Sequence, residues 1–168
     1  MMHTNDQQLL YGDNGIGIVL IHGVTSGCAQ MVPLGKMLND YGYSVHCVNI
    51  AGHGTYPQEL LRTSWKDAID KACYDYDRMK ANYEKVYIGG LSMGGCLSLA
   101  LAAQRDDIDG VISMSAPSGL CPNVLSWRRM RKTRSGCTDR LREKQAQRAD
   151  ITFITKRSRS RSLERSGA

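Results

Sequence analysis

The chain's 168 residues are the length of one domain, and 42% hydrophobic residues suffice for a core. A net charge of +6 would ordinarily point to nucleic acid or an anionic surface, but residues 1–127 hold 8 Lys and Arg against 12 Asp and Glu, and residues 128–168 hold 14 against 4. Nucleic-acid binding by the mildly acidic N-terminal part is therefore not expected, and with neither a leader pattern nor an apolar run of membrane-spanning length, a cytoplasmic chain without a membrane span is.

Leu9-Leu10-Tyr11 followed by Gly12 to Gly15 reads as a short strand and turn, and Ile16 to Ile21 as a strand buried on both faces. That run ends in His22-Gly23-Val24-Thr25-Ser26-Gly27, a glycine-bearing loop able to aim backbone N–H groups at a developing negative charge. His22 is expected to shape this loop by packing and hydrogen bonding. Met31 to Tyr41 carries apolar residues at Met31, Leu34, Met37, Leu38 and Tyr41, with Pro33 early and Gly42 just past the end, which predicts an amphipathic helix. Tyr43 to Ile50 reads as a strand, and Ala51-Gly52-His53-Gly54-Thr55 as the loop at its carboxyl end, with His53 shaping it. Ser64-x-x-Asp67 resembles a capping box, and Trp65, Ala68, Ala72, Tyr76 and Met79 keep a 3.6-residue period behind it, an aromatic stripe read as core packing.

Val86-Tyr87-Ile88-Gly89-Gly90-Leu91-Ser92-Met93-Gly94-Gly95 is the most informative stretch. An apolar strand stops at glycines, a serine has Gly90 and Gly94 two residues away on either side, and Met93 to Gln104 follows as a helix with Leu97, Ala100 and Leu101 on one stripe. Strand, sharp turn and helix in that order predict a strained apex that exposes the Ser92 hydroxyl as a nucleophile, with glycines where backbones must pass closely. A structural turn serine is the alternative. Asp109-Gly110 then turns into a last short strand, Val111 to Met114, followed by Ser115-Ala116-Pro117. Alternating strands and helices predict a mostly parallel sheet with right-handed crossovers. Six cysteines at wide, irregular spacings with no C-x-x-C indicate neither a zinc site nor a redox pair.

With those motifs in this order, the chain resembles the α/β-hydrolase superfamily, and most closely its small carboxylesterase and monoacylglycerol-lipase group. The matching pieces are Ile18 to Gly23, Gly42 to Val45, Gly52-His53-Gly54-Thr55, Gly89 to Gly95 and Gly110 to Pro117, covering about residues 9–120. The resemblance implies an α/β-hydrolase fold with helices on both faces of the sheet, and a serine esterase with Ser92 as nucleophile and the backbone N–H groups of Val24 and Met93 as oxyanion donors. It implies no metal and no organic cofactor; the partner is a small-molecule ester substrate.

The family draws its triad in the order Ser, then Asp or Glu, then His, whereas His3, His22, His46 and His53 all precede Ser92. From about Cys121 the chain becomes basic, running through Arg128-Arg129-Met130-Arg131-Lys132 to Lys156-Arg157-Ser158-Arg159-Ser160-Arg161-Ser162, with Ile151 to Ile154 as its one strand-like exception. The division expected is 1–120 as the N-terminal part of a hydrolase domain lacking its C-terminal strands, and 121–168 as a tail too poor in apolar surface to order itself. Truncation or a reading-frame change is the favoured origin, giving an esterase weakly active or inactive as written. A noncatalytic chain whose Arg/Ser arm neutralises phosphates is the alternative. Residues 110–114 would then be an unpaired, aggregation-prone edge.

Overall fold

The computed structural model describes residues 8–117 and 151–155. In chain order its elements are β1 (Gln8–Leu10), β2 (Ile16–Ile21), a 3-10 turn (Cys28–Gln30), α1 (Val32–Asp40), β3 (Ser44–Val48), α2 (Pro57–Leu61), α3 (Trp65–Lys80), β4 (Lys85–Leu91), α4 (Met93–Gln104), β5 (Gly110–Met114) and β6 (Ile151–Thr155). The short helix α2 has no counterpart in the sequence reading, because five residues carry too little periodicity to register.

The strands form one sheet in the order β1-β3-β2-β4-β5-β6. The four inner strands are parallel, and the two outer ones, β1 and β6, run antiparallel to their neighbours. Period-two alternation explains the layering. Ile18 and Leu20 of β2, with Val45 and Cys47 of β3, face the layer built by Cys28, Met31 and α1. Val19 and Ile21 point the other way, into a larger cluster with Ala72, Tyr76 and Met79 of α3 and Leu97 and Leu101 of α4. Helices therefore cover both faces. Such double burial is why β2 reads as an unbroken apolar run.

Helix α3 begins with the reciprocal cap its sequence promises: Ser64 Oγ accepts from Asp67 N–H at 3.2 Å, and Asp67 Oδ2 accepts from Ser64 N–H at 2.8 Å. Its aromatic stripe is only partly core. Tyr76 is fully buried and donates its hydroxyl to the Asp107 carbonyl at 2.9 Å, whereas Trp65 is 49% exposed. Trp65 opens the helix and precedes the turns that meet the sheet, so it lies beyond the core its period promised.

A second correction concerns the sheet's edge. β5 is not an unpaired strand, since β6 hydrogen-bonds along it from Met114↔Ile151 to Gly110↔Thr155. Any extended segment can satisfy an exposed ladder through its main chain, and the one strand-like run of the basic tail does so here. The rest of that tail lies outside the described residues.

Register brings the site together. Ile21 is level with Val48 on one side and with Gly90 on the other, and Leu91 is level with Met114. The loops that begin at His22, Asn49, Ser92 and Ser115 consequently emerge side by side at one end of the sheet, where α/β sheets place their ligands.

Candidate active site

Ser92 stands between β4 and α4 with φ 53° and ψ −110°, a left-handed conformation that ordinary residues avoid. Its N–H donates to the Met114 carbonyl at 2.8 Å, and its own carbonyl accepts from Cys96 N–H at 3.1 Å, so the turn is held from both sides. The flanking glycines are there for space. A Cβ on Gly90 would come within 2.7 Å of the Ile21 carbonyl oxygen and collide with the Gly94 carbonyl; one on Gly94 would come within 2.7 Å of the His22 carbonyl oxygen and closer still to that of Ile21. The start of α4 thus presses directly on the end of β2, and the spacing of glycines around the serine records that contact.

The loop after β2 is held by its histidine. The fully buried His22 accepts from Ile50 N–H through Nε2 at 3.1 Å, which leaves the proton on Nδ1 to be donated to the Gly23 carbonyl at 2.7 Å. Burial pushes its pKa below the usual histidine value and the charge of His53 lowers it further, while the Gly23 hydrogen bond opposes both. The imidazole is neutral in this arrangement, because a proton on Nε2 would confront the Ile50 N–H.

Gly23 lies against the serine: a Cβ built on it would stand 3.8 Å from Ser92 Cβ. The next residue, Val24, is 54% exposed. Its N–H shares a trans peptide with the Gly23 carbonyl and so points away from His22. The Met93 N–H is the first of α4, where a helix has no internal acceptor to offer and its dipole is positive. Among the described residues neither amide is hydrogen-bonded. Both amides belong to residues next in sequence to Gly23 and Ser92, which face each other.

His53 is 94% buried, since only 6% of it is exposed. Its Nδ1 donates to the Ala51 carbonyl at 3.0 Å, its ring packs 5.1 Å from that of His22, and its Nε2 has no hydrogen-bond partner among the described residues. His46 lies elsewhere, on β3 beside Leu9, Arg78 and Asn82. No described histidine hydrogen-bonds the Ser92 hydroxyl, and His3 lies outside the described residues. No group of three or more His, Cys, Asp or Glu among the described residues could hold a metal ion. Nor is any described helix long and apolar enough to cross a membrane.

Two residues went unnoticed in the sequence. Gln30 Oε1 accepts from Gly23 N–H at 2.8 Å, and Asn49 accepts from Cys28 N–H at 3.2 Å while donating to the His53 carbonyl at 2.8 Å. Bonds from a side chain to loop backbone leave no periodic trace. The backbone of Ser115, also left-handed at φ 49°, is likewise invisible in a sequence. An open hollow of about 660 Å³ lined by Tyr11, Asp13, Asp40 and Tyr41 sits at the opposite end of the sheet, away from Ser92.

The family described as serine aminopeptidase, S33, matches residues 15–164, a range that runs well past residue 120. A thermostable monoacylglycerol lipase of Bacillus sp. (strain H-257) is 35% identical over 107 residues, covering 63% of this chain and 43% of that protein. A carboxylesterase of Bacillus subtilis (strain 168) is 38% identical over 104 residues, covering 60% and 41%. The chain spans about two fifths of the length of these curated relatives. Among solved structures, the metagenome-derived lipolytic enzymes LipS and LipT supply a neighbour with a TM-score of 0.64 at 24% identity, covering 72% of this chain and 50% of that one. A Paleococcus ferrophilus monoacylglycerol lipase gives 0.56 at 20%, covering 77% and 51%. At those identities the likeness is one of fold.

Proposed function

The chain belongs to the serine aminopeptidase S33 family and has the α/β-hydrolase fold, and from that premise we propose that it is a serine carboxylic-ester hydrolase, of carboxylesterase or monoacylglycerol-lipase type, acting through an acyl-enzyme on Ser92. The observation that carries the proposal is the backbone of Ser92, φ 53° and ψ −110°, at the apex of a strand-turn-helix whose glycines are packed too closely for any side chain. The ester class is favoured over the peptide class by the names of the relatives at 35% and 38% identity.

In the proposed reaction Ser92 Oγ attacks the ester carbonyl carbon, its proton passes to a base, and the carbonyl π pair moves onto oxygen. The amides of Val24 and Met93 receive that oxyanion. Collapse of the tetrahedral species expels the alcohol, and water then releases the acid. Loss of the base in a comparable triad costs about 10⁶ in kcat, or about 8 kcal/mol of barrier. Because every histidine of this chain precedes Ser92 and none of the described ones hydrogen-bonds its hydroxyl, slow turnover is the expected behaviour of the 168-residue chain.

Incubation with an activated short-chain ester, followed by intact-mass analysis and peptide mapping, tests this reading. An acyl adduct on Ser92 that vanishes in Ser92→Ala, with turnover only just above background, is the expected result. Turnover untouched by Ser92→Ala would overturn it. A rate near the ordinary ~10 s⁻¹, lost in both Ser92→Ala and His53→Ala, would instead make His53 the base.

A further inference from the structure

We propose that Gln30 is a positioning residue for the oxyanion loop, holding from the solvent side the same glycine that His22 holds from the core. This role rests on the serine-hydrolase reading of Ser92. Both backbone groups of Gly23 are held by side chains: its carbonyl accepts from His22 Nδ1 at 2.7 Å, as well as from the Ser26 N–H at 3.4 Å, and its N–H donates to Gln30 Oε1 at 2.8 Å. The two peptide planes that meet at Gly23 are thereby fixed, and the second of them carries the Val24 N–H. Gly23 faces the serine, with Gln30 Oε1 3.4 Å, the Leu91 carbonyl oxygen 3.6 Å and Ser92 Cβ 3.8 Å from the point where a Cβ would stand. The Gln30 carboxamide therefore lies one residue from the nucleophile without belonging to the motif that supplies it.

Gln30 is in turn anchored. It ends the 3-10 turn Cys28–Gln30, whose first N–H is held by Asn49 Oδ1 at 3.2 Å, and Asn49 donates onward to the His53 carbonyl at 2.8 Å. The loop from 23 to 30 is thus closed on itself by Gln30 and pinned to the loop after β3 by Asn49. Within it Thr25 sits at φ 60°, a strained conformation that persists only where the surroundings hold it. An oxyanion donor works by being aimed before the charge develops, and a side chain that removes the freedom of the neighbouring peptide does that aiming. Gln30 is exposed, so its bond to Gly23, rather than apolar burial, is its contribution.

The experiment compares the full chain with Gln30→Met, which keeps the length and removes the acceptor, and Gln30→Glu, which restores an acceptor oxygen. Two readouts are taken: amide hydrogen exchange of Gly23, and the rate of Ser92 labelling by a fluorophosphonate with Ser92→Ala as blank. Gln30→Met should exchange Gly23 at least about tenfold faster and label at least about tenfold slower, a fraction of the 10²–10³ that losing a whole donor costs. Gln30→Glu should recover most of both, and the melting midpoint should barely move in either. Unchanged Gly23 exchange in Gln30→Met overturns the clamp. Faster exchange with unchanged labelling overturns the positioning role and leaves the serine reading intact. A wild-type chain that never labels at Ser92 refutes the serine reading and this role with it.

Discussion

Gly94→Ala separates helix propensity from the packing of the serine turn. Gly94 is the second residue of α4 and its φ is not left-handed, so alanine fits the backbone conformation and by propensity alone should gain about 1 kcal/mol. Space opposes it. The new methyl would meet the carbonyl oxygens of Ile21 and His22, the latter at 2.7 Å. Both belong to the main chain at the end of the central strand β2, where no rotamer change can relieve the contact. Overpacking a close-packed site costs about 1–3 kcal/mol, and an obstacle made of backbone puts this case at or above the upper end. The net expectation is destabilisation of about 2 kcal/mol, a large share of the ~5–15 kcal/mol that holds a domain together. Urea unfolding followed by far-ultraviolet circular dichroism measures it, as a lower midpoint at unchanged slope. The displacement needed would also part Gly23 from Ser92, so labelling of the serine should slow in parallel. A Gly94→Ala chain as stable as the wild type, or more so, would show that α4 is not pressed onto β2 and would undo the steric account of the motif.

Acid should weaken the fold through buried histidines. Burial lowers the pKa of both His22 and His46, so the folded state binds fewer protons than the unfolded one; their contribution is complete above the unfolded value of about 6.5 and is lost as pH falls from there toward the folded values. Unfolding free energies between pH 7.5 and 5 should fall, and less steeply in His22→Gln; a pH-independent stability would contradict the neutral, doubly bonded imidazole. Ending the chain at residue 150 removes β6 and bares the β5 ladder, so this shortened chain should aggregate at concentrations where the full chain stays dispersed, as light scattering would show; equal dispersity would mean that β6 does not protect that edge.

Much of this protein was legible in its residues because the relevant physics is local. The doubly buried run Ile16 to Ile21, the Ser64 and Asp67 cap, and the glycines around Ser92 each declare themselves within ten residues of chain, and together they fixed the fold class and the candidate nucleophile. Tertiary structure decided what depends on partners distant in sequence. Register made the loops at His22, Asn49 and Ser92 neighbours, and the Ile50 N–H chose the His22 tautomer from 28 residues away. Gln30 is only seven residues from Gly23, but its hold on that glycine is a side-chain-to-backbone bond that no sequence motif announces. Trp65 kept its period yet missed the core, because a helical period names a face and only the sheet's position says how far along that face the core extends. β6 closed an edge the sequence had left open, since main-chain hydrogen bonds accept almost any extended segment and leave no signature in the strand that receives them.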